Sequence, residues 1–202
     1  MPTLSPAGDT HLAHRYSYTS LEQKVRNKTT LQSDHGWPEE TKRPMICLPA
    51  GMTDALGGDV LKQLLPGILA SSAELLILGK GSAEYGTLFT KLQKEHKHRI
   101  AIIPERETDV HRMYGAADMA LFLTPPPAKE LQICLSYGVI PISAPAELLE
   151  NYDPVQEAGN AFLFEGKTVW HAHAAFVRAM ETYKFPYDWR TIQKHAMESM
   201  KK

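Results

Sequence analysis

A chain of 202 residues with 43 % hydrophobic side chains is long enough to bury one full core. Its 22 basic and 23 acidic residues leave a formal net charge of −1, which excludes the strong basic field of a nucleic-acid or anionic-membrane binder. No apolar run approaches the ~20 residues needed to cross a bilayer. The opening MPTLSPAGDTHLAHRY has neither the basic flank nor the apolar centre of a secretory signal, so the sequence predicts a cytoplasmic protein.

Residues 1–19 are rich in Pro, Gly, Ser and Thr without a sustained period, which predicts a flexible arm, laid on a surface or left mobile, before a folded domain over 20–200. Ser20 and Gln23 have the spacing of a capping box, and Leu21, Val25 and Leu31 follow a helical stripe that stops near Gly36, Trp37 and Pro38. A short buried strand is expected over 45–48, then the loop PAGMTDALGG with Gly51, Gly57 and Gly58. Leu61, Leu64, Leu65 and Leu69 predict a helix bent or ended near Pro66. The run ELLIL, 74–78, reads as a strand that meets Gly79-Lys80-Gly81-Ser82. Tyr85, Leu88, Phe89 and Leu92 line one face of the following helix, and a basic turn over 94–99 leads to a strand over 100–103. Thr108 or Asp109 is placed to cap the next helix.

The stretch YGAADMALFLTPPPAKELQICLSYG, 114–138, organises the rest. A helix end (Met113, Tyr114, Ala117) delivers an apolar strand over 119–123, broken by Pro125, Pro126 and Pro127. A helix from Ala128 with Leu131, Cys134 and Leu135 on one face closes at Gly138, before another strand over 139–142. That is a βαβ unit of a parallel sheet, in which ligands sit beyond the carboxyl ends of the strands, so the loop 124–129 is the expected site. A short acidic helix over 146–151, a turn at Asp153-Pro154, a strand over 161–164 and helices over 168–183 and 187–200 complete the chain. About six strands alternating with helices predict an α/β fold, a doubly wound, Rossmann-like parallel sheet.

Cys47 and Cys134 lie in apolar segments with no ligand spacing and read as reduced core residues. His96 with His98 and His171 with His173 have an i,i+2 spacing that suits no common metal site on a helix. No GxSxG, HExxH or Walker motif occurs, and neither cofactor nor metal is expected. Trp170, Phe176 and Val177 read as a core stripe, whereas Trp37 and Trp189 are aromatics with the chemistry to stack on a glycan. Two features suit an anion, the strand-to-helix turn Gly79–Ser82 with Lys80 and the helix start at Lys129, although a tight turn with a solvated lysine and a helix end facing water are the commoner meanings of such patterns.

The segments NKTTLQ (27–32), GGDVL (57–61), LLILGKG (75–81), HRMYGAADMALFLTP (111–125), LSYGVIPI (135–142), YDP (152–154), GNAFLF (159–164) and DWRTIQKHAM (188–197) resemble, in order and nearly in spacing, the C-terminal domain of bacterial glycogen synthases and plant starch synthases. The resemblance covers roughly residues 17–197. It implies half of a two-domain GT-B glycosyltransferase, the half that holds ADP-glucose or UDP-glucose. A glucan acceptor and an N-terminal partner domain with a catalytic histidine are implied beside it.

Residue by residue the implied donor site departs from the family. In the family's loop R-L-T-E-Q-K-G the Arg and Lys hold the diphosphate; Gly51 and Leu56 stand there. Against the family's S-R-F-E-P-C-G-L-T-Q this chain has Thr124-Pro-Pro-Pro-Ala-Lys-Glu-Leu-Gln132, with Pro125 at the Glu position and Ala128 at the Gly position. Glu105 takes the place of a Tyr beside the base, and Ser143-Ala-Pro-Ala146 that of Arg-Thr-Gly-Gly. Candidate donor contacts are therefore Gly51, Gly79, Lys80, Gly81, Lys129 and Glu130, with no catalytic residue among them. Three readings remain: a divergent donor domain inactive in isolation; a pseudoenzyme domain that binds a protein or glucan, marked by an apolar patch around Met52, Ala55, Leu56 and the prolines; and an active half that needs an N-terminal domain.

Overall fold

The computed structural model describes residues 5–166 and 168–201; the first four residues of the predicted arm lie outside them. In chain order the elements are α1 (Glu22–Asp34), β1 (Met45–Leu48), α2 (Gly58–Ala70), β2 (Glu74–Leu78), α3 (Ala83–Glu95), β3 (Ile100–Ile103), α4 (Glu107–Ala116), β4 (Met119–Phe122), α5 (Ala128–Ser136), β5 (Ile140–Ser143), β6 (Phe162–Leu163), α6 (Val169–Tyr183) and α7 (Pro186–Ser199). The strands form one sheet in the order β3-β2-β1-β4-β5-β6, and every pairing is parallel.

Both faces of the sheet are covered, which is why the strands read as unbroken apolar runs. Ile46, Leu48, Leu75, Ile77, Met119 and Leu121 point to the core under α2, α3 and α6. Their neighbours Met45, Cys47, Leu76, Ala120 and Phe122 point to a second core with α1, α4 and the N-terminal segment. The strand order reverses between β1 and β4, so the loops after their carboxyl ends diverge and leave a crevice there.

Buried polar groups tie the amino ends of the strands together. Lys28 Nζ lies 2.8 Å from Asp118 Oδ2, and the same oxygen accepts the Met45 N–H at 2.8 Å. Lys28 also donates to Tyr183 Oη at 2.6 Å and to the Arg43 carbonyl at 3.1 Å. Residues 5–19 have no helix or strand. Leu12 and Tyr16 are buried in the second core, and the Tyr16 hydroxyl donates to the Tyr137 carbonyl at 2.7 Å.

Several local expectations are corrected. Ser20 does not form the capping box, because its Oγ accepts the Ser17 N–H at 3.0 Å and α1 opens after Leu21. The N-cap of α4 is Arg106, two residues before the expected Thr108 and three before Asp109. α2 runs on through Pro66 to Ala70, with Pro66 and Lys62 on its exposed face, away from the core. No helix forms over 146–151, because Asn160 takes its backbone groups: Oδ1 accepts the Glu150 N–H at 2.9 Å and Nδ2 donates to the Leu148 carbonyl at 3.0 Å. α6 buries Ala172, Ala175, Phe176 and Ala179, which leaves Trp170 76 % and Val177 40 % exposed on the opposite face. Among the described residues no helix is long and apolar enough to cross a membrane.

Candidate functional site

The loops beyond β1 and β2 are joined to one another. Met52 N–H donates to the Lys80 carbonyl at 3.1 Å and Ser82 N–H to the Met52 carbonyl at 3.1 Å, one further rung past the end of the ladder. Gly51 (φ +69°) and Gly81 (φ +130°) make this approach possible, since a Cβ on Gly51 would sit 2.0 Å from the Lys80 oxygen and one on Gly81 2.0 Å from the Met52 oxygen. Gly79 N–H donates to the Ile103 carbonyl at 2.8 Å and Lys80 N–H to the Leu78 carbonyl at 2.7 Å. Three of the four N–H groups of the turn Gly79–Ser82 are thus engaged inside the protein, which leaves little of a backbone anion cradle.

Leu56 lies in a 3-10 turn, Asp54–Leu56, held by Thr53, whose Oγ1 accepts the Leu56 N–H at 3.3 Å. The Tyr85 hydroxyl donates to Asp54 Oδ1 at 2.6 Å, with Lys62 Nζ 4.9 Å from the Tyr85 ring centre. The turn is therefore anchored to α2 and α3.

The crevice at the strand ends contains a cavity of about 390 Å³ bordered by Lys80, Glu105, Glu107, His111, Lys129 and Glu130. Two lysines face three glutamates, so the carboxylates outnumber the cations by one. Lys80 Nζ is 3.7 Å from Glu105 Oε1, with both side chains about half exposed. Lys129 and Glu130 belong to the first turn of α5, whose cap is Pro127. Leu131 N–H donates to the Pro127 carbonyl at 3.0 Å, and the N–H groups of Ala128, Lys129 and Glu130 have no partner among the described residues, as at the start of any helix without a side-chain cap. Of the six candidate residues, Lys80, Lys129 and Glu130 meet at this cavity. Gly79, Lys80 and Gly81 border a separate open groove of about 1010 Å³ along α3, and Gly51 is buried beneath Lys80.

Of the residues that would mark an apolar patch, Met52 is buried and Leu56 is half-buried against the core, whereas Ala55 and Pro125 are exposed and Pro126 and Pro127 half-buried. Trp37 and Trp189, each 5 % exposed, are core residues: Trp37 Nε1 donates to the Lys97 carbonyl at 2.8 Å, and Trp189 stacks with Phe162 at 9°. Neither offers a face to a sugar. Cys47 and Cys134 are buried free thiols, and burial pushes Cys47 up to about 12, so it is inert as a nucleophile.

One constellation escaped the sequence reading. Asp9, 7 % exposed, accepts from the Tyr137 hydroxyl at 2.6 Å and from His111 Nδ1 at 2.9 Å through Oδ2, and from His11 N–H at 2.9 Å through Oδ1. The tripeptide Asp9-Thr10-His11 was its only signal in the sequence, and it lies in a segment with no periodicity to place it near α4.

No protein-family model matches the chain. The glycogen synthase of Gloeobacter violaceus is 32 % identical to it, over 97 % of this chain and 44 % of that protein. The catalytic domain of starch synthase IV from Arabidopsis thaliana, solved with ADP and acarbose, superposes with a TM-score of 0.85 at 21 % identity, over 96 % of this chain and 42 % of that one. The C-terminal domain of a glycosyl transferase group 1 family protein from Francisella tularensis gives a TM-score of 0.63 at 12 % identity, over 86 % of this chain and 91 % of that one. The chain spans about two fifths of the length of the curated relatives it matches.

Proposed function

Because this chain is a divergent relative of the C-terminal domain of the glycogen and starch synthases, with the Rossmann-like fold of one GT-B half, we propose that it is a sugar-nucleotide-side domain whose donor site is weakened and which does not transfer glucose by itself. The single observation that carries this reading is the charge of the crevice: Lys80 and Lys129 against Glu105, Glu107 and Glu130. A nucleoside diphosphate brings negative charge, and two unit charges ~4 Å apart interact by ~4 kcal/mol at an effective dielectric constant of ~20. Solvent screening at half-exposed side chains cuts this to at most ~1 kcal/mol, so each carboxylate near a phosphate weakens binding modestly and the three act together. Lys80 and Lys129 are the side chains for the phosphates, with the start of α5 beside them, and Glu130 in the same cavity is a hydrogen-bond acceptor for the sugar. Cations at a leaving diphosphate supply much of the transition-state stabilisation in such transfers, and Gly51 and Leu56 supply none.

One half-cleft also leaves the reacting bond open to water and holds only one of two substrates, so transfer to glucan belongs to a longer assembly with an N-terminal domain. The buried free thiols accord with a cytoplasmic setting. The test is calorimetric titration of the chain with ADP, ADP-glucose and UDP-glucose, beside an assay of glucosyl transfer to glycogen. Weak binding without turnover is expected. Turnover by the isolated chain, or donor binding as tight as that of a working synthase, would overturn the reading.

A further inference from the structure

The N-terminal segment and α4 bring together side chains with the chemistry of a transition-metal site. Asp9 Oδ2 lies 2.9 Å from His111 Nδ1, and the rings of His11 and His111 are 4.9 Å apart at 79°. One ligand atom from each of Asp9, His11 and His111 lies within 4.8 Å of the others, and Glu107 Oε1 is 3.9 Å from His11 Nε2. We propose that Asp9, His11 and His111, completed by Glu107 or water, bind one divalent transition-metal ion, Zn²⁺ foremost, and clasp the N-terminal segment to α4.

Bonds of ~2.0–2.2 Å to nitrogen and oxygen place neighbouring ligand atoms of a tetrahedral ion ~3.3 Å apart, so the Asp9–His111 pair needs to open by only a few tenths of an ångström. The His11 side chain is 32 % exposed and its ring already stands 4.9 Å from that of His111. Two imidazoles and a carboxylate favour Zn²⁺, Cu²⁺ or Ni²⁺ over Mg²⁺ or Ca²⁺, which prefer all-oxygen shells. The Tyr137 hydroxyl and the His11 N–H already fix the Asp9 carboxylate, the kind of outer support that orients metal ligands. On binding, the Nδ1 proton shared with Asp9 moves to His111 Nε2 by way of solvent, so the imidazole stays neutral and its Nδ1 lone pair goes to the ion.

The rival account is a hydrogen-bonded latch of Tyr137, Asp9 and His111 that needs no ion. The two differ at His11, whose ring contributes nothing to that latch and contacts Thr108 Oγ1 at 3.2 Å and Glu107. The test is therefore titration of the chelator-treated chain with Zn²⁺ by calorimetry and with Co²⁺ by visible absorption, for the wild type, His11→Ala, Glu107→Gln and the control His98→Ala. Expected are one ion per chain, a loss of affinity of at least about tenfold in His11→Ala, a smaller loss in Glu107→Gln, and no change in His98→Ala. Glu107 is 76 % exposed, so its variant folds whatever becomes of His11→Ala. No metal heat and no Co²⁺ ligand-field band in the wild type at a several-fold excess of metal overturns the proposal. So does an affinity that His11→Ala and Glu107→Gln leave unchanged.

Discussion

Lys80 Nζ and Glu105 Oε1 face each other at 3.7 Å across the carboxyl ends of β2 and β3. Lys80, one of the two cations proposed to meet a phosphate, therefore already has a carboxylate at hand. An exposed pair of this kind is worth only ~0–1 kcal/mol, so it is a modest competitor, and it can be removed without harm to the fold. Glu105→Gln is expected to strengthen ADP binding by about two- to fivefold, and Lys80→Ala to abolish that gain when combined with it. Calorimetric titration of the single and double variants with ADP measures both; equal affinities in all would show that Lys80 does not meet the phosphates.

Gly51 and Gly81 hold the two strand-end loops together by letting each backbone pass close to the other. Gly51→Ala or Gly81→Ala places a methyl group 2.0 Å from a carbonyl oxygen at a positive φ, so each is expected to lower stability by about 2–4 kcal/mol. The change is read as a drop in the urea midpoint at constant m-value. A neutral outcome at both sites would mean that the bridge between Met52 and Gly81 is not part of the ground state.

The Lys28–Asp118 pair is 1 % and 8 % exposed at its two side chains, so removal of one partner leaves a buried charge without compensation. Lys28→Met is expected to cost about 3–5 kcal/mol, and the double variant Lys28→Met/Asp118→Asn less than the sum of the single ones. Urea denaturation of the three variants provides the coupling energy directly.

Glu74 is fully buried and receives the Gln32 amide at 2.9 Å on both carboxylate oxygens. Burial raises its pKa from 4.5 to about 7. The folded state thus binds this proton more tightly than the unfolded chain, so the contribution is complete below about pH 4.5 and is lost as pH rises to about 7. Against Glu74→Gln, which cannot titrate, the wild type is expected to lose on the order of 2 kcal/mol across that window. Paired urea titrations at a series of pH values check the slope, and parallel curves would refute it.

The sheet was readable because each central strand is buried on both faces. β1, β2 and β3 lie where their apolar runs between Gly, Pro and charged residues place them. The helices were readable as elements but not always as faces. α6 carries two apolar stripes, one of alanines with Phe176 and one with Trp170 and Val177, and periodicity cannot choose between them. Packing does, because the alanine face lets the helix lie close over α2, β5 and β6 while Trp170 would hold it away.

The amino-acid sequence by itself determined the alternation of elements, the parallel sheet and the absence of a cationic side chain at positions 51 and 56, since each depends on residue type and local order. Tertiary structure alone decided that Lys80 stands against Glu105, that Lys129 and Glu130 share its cavity, and that Asp9 and His11 reach His111. Those pairs are separated by 25 to more than 100 positions in the chain, and only the crossing of the strand order at β1 and β4 and the docking of residues 5–19 bring them within reach. The cause is physical: local periodicity reports which face of an element avoids water, whereas the charge of a crevice is a sum over loops that meet only once the faces have packed.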